Sequence, residues 1–529
     1  MSRSALFQVI RRSMRLAQVS NHTGVSPQEL VELRAERRGA TRREFLGVTA
    51  TAVAGLALSR CAPLVHSPMQ SDEPVVIIGG GIAGLTAAYR LEQAGVPVRL
   101  FEAQNRIGGR MFSIRGFFPD QQVAELGGEL IDTNHESIRG LAEELGIPLN
   151  DLATDDPSLE TFWWFGGARR SEAEVIEAFK PLIPRIEAAL ATLQGDDVTW
   201  DAPNGGERLD RISIAEWLDS QGVEGWIRTL LDVGYTTEFG LEIDEQPALN
   251  FLTMISTNEE AFEIFGESDE RFHVQGGNDR IITALVERIR GPIETSSVLE
   301  AVRLANDGSV VSTIRRGTTS FEVRAPEVIL TLPFTMLRQV RLDFEMPPAK
   351  RLAIDELGYG TNAKLMVGFE SRHWRAQGCD GSVVTDRAFQ ACWETSRLQQ
   401  GVSGILTNFT GGRHGIELGN GTDAEQAGRM LADLEVIFPG IAATRTERSK
   451  EVRFHWPTHP FTRGSYASYR IGQWTSMRGA EGMPVGPIFF AGEHCSLESQ
   501  GFMNGGSETG EEAARAIVAR RNLSAVAVA

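Results

Sequence analysis

Val75-Val-Ile-Ile-Gly-Gly-Gly-Ile-Ala-Gly-Leu-Thr-Ala-Ala88, followed by Val98-Arg-Leu-Phe-Glu-Ala103 and Gly108-Gly-Arg110, is the stretch that decides the fold. Residues 75–78 form a short β-branched apolar run, the pattern of a strand buried on both faces. Gly79, Gly81 and Gly84 fit G-x-G-x-x-G: the first glycine permits the tight turn, the second lets backbone approach a pyrophosphate, and the third lets helix pack close to sheet. The spacing predicts a helix over residues 82–93, ended by Gly95, with its N-terminal N–H groups facing phosphates; Ile82 and Ala83 supply the first of them. A second strand over 98–101 ends at Glu102 and Ala103. Glu102 stands 18 residues after Gly84, where an acid accepts hydrogen bonds from an adenosine ribose. A lone glycine motif is weak evidence. The strand before it, the helix after it and the acid at the right distance make it a site for a dinucleotide.

The 529 residues exceed one ordinary domain, and 42% hydrophobic content is enough for large cores. A formal charge of −18 argues against nucleic acid as a partner, because nothing would neutralise its phosphates. Cys61, Cys379, Cys392 and Cys495 lack metal-ligand spacing, and no metal is expected. Cys379 and Cys392 could pair across a hairpin in an oxidising compartment; free buried thiols are the favoured reading.

Residues 1–60 hold ten arginines and acids only at Glu29, Glu32, Glu36 and Glu44. Thr41-Arg-Arg-Glu-Phe-Leu46 resembles a twin-arginine export signal, and the apolar run 45–58 has the length of a signal h-region rather than of a membrane span. This reading makes 1–71 a leader and places the mature protein in the periplasm or outside the cytoplasm. The alternative is a basic tail with a chance Arg-Arg. Arg60 before Cys61 is a poor lipidation context, so a lipid anchor is disfavoured.

Near the other end, Gly486-Pro-Ile-Phe-Phe-Ala-Gly-Glu-His494 reads as a buried strand ending in Gly492 and Glu493. Gly501-Phe-Met-Asn-Gly-Gly-Ser-Glu-Thr-Gly510 reads as a glycine-rich turn opening a helix from about residue 505 to 520, whose N-terminal dipole favours a negative ligand. With these motifs in place, the chain resembles the flavin-containing amine oxidases, a family that includes monoamine, polyamine and L-amino-acid oxidases, from residue 75 to about 518. The resemblance implies an α/β fold: a Rossmann-like FAD-binding domain of the GR2 type (72–135, 268–334 and 456–522) interleaved with an α+β substrate domain (136–267 and 335–455), and a short tail (523–529).

The resemblance assigns Gly79, Gly81, Gly84 and Glu102 to the adenosine diphosphate end of FAD. Through the motif Arg106-Ile-Gly-Gly-Arg110 it brings Gly109 and Arg110 to the pyrophosphate; it brings Gly127, Gly128 and Glu129 past the flavin ring, and Val298 against adenine. Gln275–Arg280 leads the chain back into the FAD domain. Glu493, after Gly492, matches the acid that holds the ribityl chain, and Met503, after Gly501, the backbone donor to the ring. Lys364 resembles the lysine that reaches the flavin N5 through a water; from pattern alone it could equally snorkel at a strand edge. Tyr466 matches one wall of an aromatic cage and Phe502 the other, a departure from the commoner Tyr or Trp. Ser465 stands where some members carry the cysteine that attaches the flavin, which implies non-covalent FAD.

The implied reaction is oxidation of an amine or L-amino acid to an imine that water hydrolyses, with O2 reduced to H2O2. The alternative is a same-fold dehydrogenase passing electrons to a quinone. A third reading, a flavin-fold binding module, is disfavoured by Lys364 and Tyr466. Arg338, Arg463 and Arg478 are candidates for a carboxylate anchor, each with a structural role favoured. His494 is a candidate relay, with an ordinary hydrogen-bonded histidine favoured. Peripheral membrane association and a homodimer are both compatible with the sequence.

Overall fold

The computed structural model describes residues 73–195, 197–254 and 269–528. The leader, its twin-arginine motif and Cys61 lie outside the described residues. A five-stranded parallel sheet gathers distant pieces of chain in the order Ile488–Phe490, Val328–Leu330, Val75–Ile78, Val98–Phe101, Ile293–Glu294. The first strand is central, which is why all four of its residues are apolar and buried. Alternation sorts them. Val75 and Ile77 pack with the helices Ile82–Gln93 and Asp279–Arg288. Val76 and Ile78 pack with Leu299, Val302, Val310 and Ile314 of a four-stranded sheet on the opposite face. That second sheet runs Thr319–Ala325, Val310–Arg316, Ser297–Leu304, Arg341–Asp343, and so continues past residue 334.

The C-terminal helix begins at Met503, two residues before the sequence-predicted start, and lies across the helix Ile82–Gln93. Close approach explains its small residues. A β-carbon on Gly506 would lie 2.7 Å from Ile82 Cγ2, and one on Gly510 would collide with the Ala83 carbonyl oxygen.

The third layer is a seven-stranded mixed sheet, ordered Glu451–His455, Ala363–Phe369, Gly404–Thr410, Ala391–Glu394, Cys379–Thr385, Glu160–Phe165, Ala168–Arg170. Its helical partner, Gly225–Phe239, ends on the left-handed Gly240. Cys379 and Cys392 sit on adjacent strands of this sheet as free, buried thiols, so the pairing considered from sequence is not formed. No helix among the described residues is long and apolar enough to cross a membrane.

Candidate active site

The candidate site starts at Glu102. Its carboxylate accepts from the Gly80 N–H (2.7 Å) and the Gln104 N–H (2.8 Å), which fixes it at the end of its strand. Burial pushes this carboxyl above its ordinary range, with the two backbone donors opposing. The Ser297 N–H donates to the Glu102 carbonyl (2.8 Å), so the strand Ser297–Leu304 starts beside the acid with Val298 as its second residue.

From there the glycine turn runs under an open cradle. Gly79 takes φ +110°, a conformation that side chains resist, and the Thr331 hydroxyl caps the turn by donating to the Ile78 carbonyl (2.9 Å). A β-carbon on Gly84 would collide with the Gly79 carbonyl oxygen; one on Gly81 would meet only Gly109 Cα, at 4.0 Å. Gly81 therefore keeps space open rather than avoiding a clash within the protein. It is also the N-cap of the helix Ile82–Gln93, and no side chain caps it. That leaves first-turn N–H groups, those of Ile82 and Ala83 included, for an anionic ligand. The buried acid, the uncapped helix and the cradle that a β-carbon would fill together fit a dinucleotide.

Gly109, in contact with Gly81, leads to Arg110, which reaches residues almost four hundred positions away. Arg110 donates to Glu493 Oε1 (2.7 Å) and to the Ser465 carbonyl (2.9 Å). Glu493 also accepts from the N–H groups of Ala467 (3.2 Å) and Gly501 (2.8 Å). Gly492, at φ +140°, is tied to the C-terminal helix through the Thr509 hydroxyl. Gly127 and Gly128 pass close by: a β-carbon on Gly128 would lie 2.8 Å from Met503 Cγ. Arg110, Glu493, Gly501, Met503 and Gly128 thus form one contiguous cluster.

Lys364 meets the same cluster through residues 125–129. Its strand is interior, flanked by Gly404–Thr410 and Glu451–His455, so it does not snorkel at an edge. The ammonium donates to Glu129 Oε2 (2.6 Å) and to the carbonyls of Gly127 (2.9 Å) and Glu125 (3.2 Å), with the Trp393 ring at 5.2 Å. Glu129 accepts in turn from Trp393 Nε1 (2.9 Å) and the Thr395 hydroxyl (2.7 Å). Burial works to raise the Glu129 carboxyl; Lys364 and these donors outweigh it and bring it below the ordinary range.

The two candidate cage aromatics are held by different partners. Tyr466 donates to the Glu238 carbonyl (2.7 Å), whereas the Phe502 ring packs on His135 at 4.8 Å. Burial drops both His135 and His494 to about 3, so each imidazole is uncharged near neutral pH, and the two His494 ring nitrogens are buried without a hydrogen-bond partner among the described residues, unlike the hydrogen-bonded histidine favoured from sequence. Burial, with the carboxylates of Asp132, Glu238 and Glu129, pushes Glu270 well above its ordinary range.

Of the arginines considered as carboxylate anchors, Arg338 is spent on the carbonyls of Ile354 and Leu357, and Arg478 on Asp197 and the carbonyls of Val198 and Leu497. Arg463 is exposed. Sequence reasoning missed three residues that hold the site. Asn278, fully buried, donates to the carbonyls of Gly128 (2.9 Å) and Glu129 (2.7 Å). Trp393 and Thr395 fix Glu129. Asn278 lay inside a quoted motif, but nothing in the sequence linked it to residue 128.

A family model described as flavin containing amine oxidoreductase matches residues 82–518. The chain belongs to the flavin-containing amine oxidoreductases. Like other members of this family, it is an FAD-dependent oxidoreductase acting on amine C–N bonds. It is 26% identical to an L-amino acid dehydrogenase of Synechocystis sp. over 84% of this chain and 94% of that one. It is also 26% identical to an L-amino-acid oxidase of Siganus canaliculatus, over 81% of this chain and 82% of that one. Among solved structures, cyclohexylamine oxidase from Brevibacterium oxydans shares the fold with a TM-score of 0.74 at 23% identity, covering 85% of this chain and 99% of that one. Putrescine oxidase does so at 0.72 and 21% identity, covering 84% and 99%.

Proposed function

We propose that this amine oxidoreductase oxidises a primary amine or L-amino acid to an imine with non-covalently held FAD, and that O2 takes the electrons and leaves as H2O2. The supporting observation is a buried lysine on an interior strand, bonded to residues 127–129, which pack against Arg110 and Met503. Gly81, Ile82, Ala83 and Gly84 would hold the pyrophosphate, with Gly109 and Arg110 beside it. Glu102, Ala103 and Val298 would hold the adenosine, and Glu493, Gly501 and Met503 the flavin side. Bound FAD supplies the redox chemistry, accepting two electrons and a proton from the carbon next to nitrogen.

The chain's own residues orient and exclude. Tyr466, anchored through its hydroxyl, and Phe502, backed by His135, present apolar faces that keep water from the reacting carbon. Lys364, paired with Glu129, would stand beside the flavin ring. The substrate nitrogen must be unprotonated to release electrons, so activity rises with pH toward the substrate's own pKa. Ser465 supports non-covalent binding: its hydroxyl donates to Asn362 Oδ1 (2.8 Å) and carries no thiol for attachment. Acid precipitation should leave the yellow colour in the supernatant.

Anaerobic mixing of the holoenzyme with amino acids, monoamines and polyamines tests the reaction; bleaching by none of them refutes it. A second reading, transfer to a quinone-like acceptor, is favoured by one observation: the three Lys364 protons all meet protein acceptors. Peroxide release against dye reduction, after the same substrate, separates the two. Residues 41–63 support export by the twin-arginine route; Arg42→Lys with Arg43→Lys should hold the protein in the cytoplasm.

A further inference from the structure

The Lys364–Glu129 pair is more than an anchor for a strand. Three acceptors surround the ammonium, and the only charged one, Glu129, is the nearest at 2.6 Å. Glu129 is itself locked by Trp393 and Thr395. Both partners are about 95% buried, so solvent screens the pair little, and at a distance the two charges nearly cancel. The pair sits at the ring end, because Gly128 packs on Met503 and Gly127 packs on Arg110, which binds Glu493. A neutral pair cannot stabilise negative charge that develops when electrons leave for oxygen, whereas a bare ammonium there would.

We infer that Glu129 is a positioning residue that cancels the charge of Lys364 beside the flavin and so throttles the reaction of the reduced enzyme with O2. Each turn of that reaction moves two electrons and two protons, in total, from the reduced enzyme to O2, giving H2O2 and the oxidised enzyme. The inference rests on the FAD reading above but on no particular amine.

The test uses purified holoenzyme reduced stoichiometrically with dithionite, so that an unidentified substrate does not matter. Two quantities are read: the dye-equilibrated midpoint potential of the flavin, and the rate of its reoxidation by O2. Glu129→Gln uncovers the lysine charge. It should raise the O2 rate about tenfold and favour reduced flavin about tenfold, a positive shift of about 30 mV for a two-electron couple. Lys364→Met should move both the opposite way. The double variant, neutral like the wild-type pair, should return both to within about threefold of wild type. Thr395→Val, which removes a hydrogen bond to Glu129 but no charge, should shift both by less than a third as much as Glu129→Gln does.

The double variant decides the matter even if Glu129→Gln folds poorly. A double variant that differs from wild type by tenfold or more would overturn the inference. So would a Thr395→Val shift as large as that of Glu129→Gln, since packing would then be the cause. An enzyme that holds FAD but is bleached by no amine would refute the proposed reaction and leave this measurement intact.

Discussion

Gly81→Ala separates the demands of the fold from those of the ligand. A methyl group there faces only Gly109 Cα at 4.0 Å, an ordinary contact, and Gly81 has φ −80°, which alanine adopts freely. The cost to the protein is the poorer N-cap, about 0.5–1 kcal/mol. The cost to the ligand is larger. The methyl group stands where a phosphate would approach the uncapped helix, and pushing it back weakens roughly two charge-assisted hydrogen bonds at about 1.5 kcal/mol each. A total of about 3 kcal/mol corresponds to more than 100-fold weaker FAD binding. Flavin fluorescence on serial dilution reads the affinity, and thermal unfolding of the FAD-free protein reads the fold. Gly84→Ala is the control: its methyl group would collide with the Gly79 carbonyl, so it should damage the fold itself. FAD affinity of Gly81→Ala within threefold of wild type would refute the reasoning, as would a fold as damaged as that of Gly84→Ala.

Three further outcomes follow from the geometry. Lys364→Met should cut amine-driven turnover at least about tenfold while FAD stays bound, since it leaves the Glu129 carboxylate without its counter-charge; unchanged turnover removes the lysine from the mechanism. Asn278→Ala strands the Gly128 and Glu129 carbonyls and the Val274 N–H, and should cost about 2–4 kcal/mol of stability by urea unfolding and accelerate FAD release; a loss under about 0.5 kcal/mol would contradict the clamp. Asp155, half buried, is held at about 2 because hydrogen bonds and charge from Arg375 and Arg397 outweigh the burial that would raise it. A depressed carboxylate stabilises the fold above its unfolded value, and that contribution disappears as pH falls through about 2. After discounting for solvent screening, Asp155→Asn should cost about 1–2 kcal/mol at pH 7, a gap that shrinks below about pH 4. Urea midpoints across pH decide it, and a gap that does not shrink in acid refutes it.

The nucleotide end of the site was legible because its physics is local. The strand 75–78, the glycine turn, the helix 82–93 and Glu102 lie within thirty residues, and each obeys backbone rules that sequence spacing expresses directly. The same holds for the buried strand 488–490 and the helix opening near Gly505, whose glycines mark close approach before any partner is known. The flavin-containing amine oxidoreductase resemblance then placed Lys364 and Glu493, which periodicity alone would have left as an edge lysine and a strand-end acid.

What the sequence by itself determined is a dinucleotide groove, its acid and its glycine cradle, because turn chemistry and strand burial are properties of neighbouring residues. Only the tertiary structure decided which charges meet at the far end. Lys364 and Glu129 are 235 positions apart, and Trp393, Thr395 and Asn278 reach them from other strands and turns. A buried ammonium takes whichever acceptors the packed sheets bring within 3 Å or so, and no local rule of spacing encodes that choice.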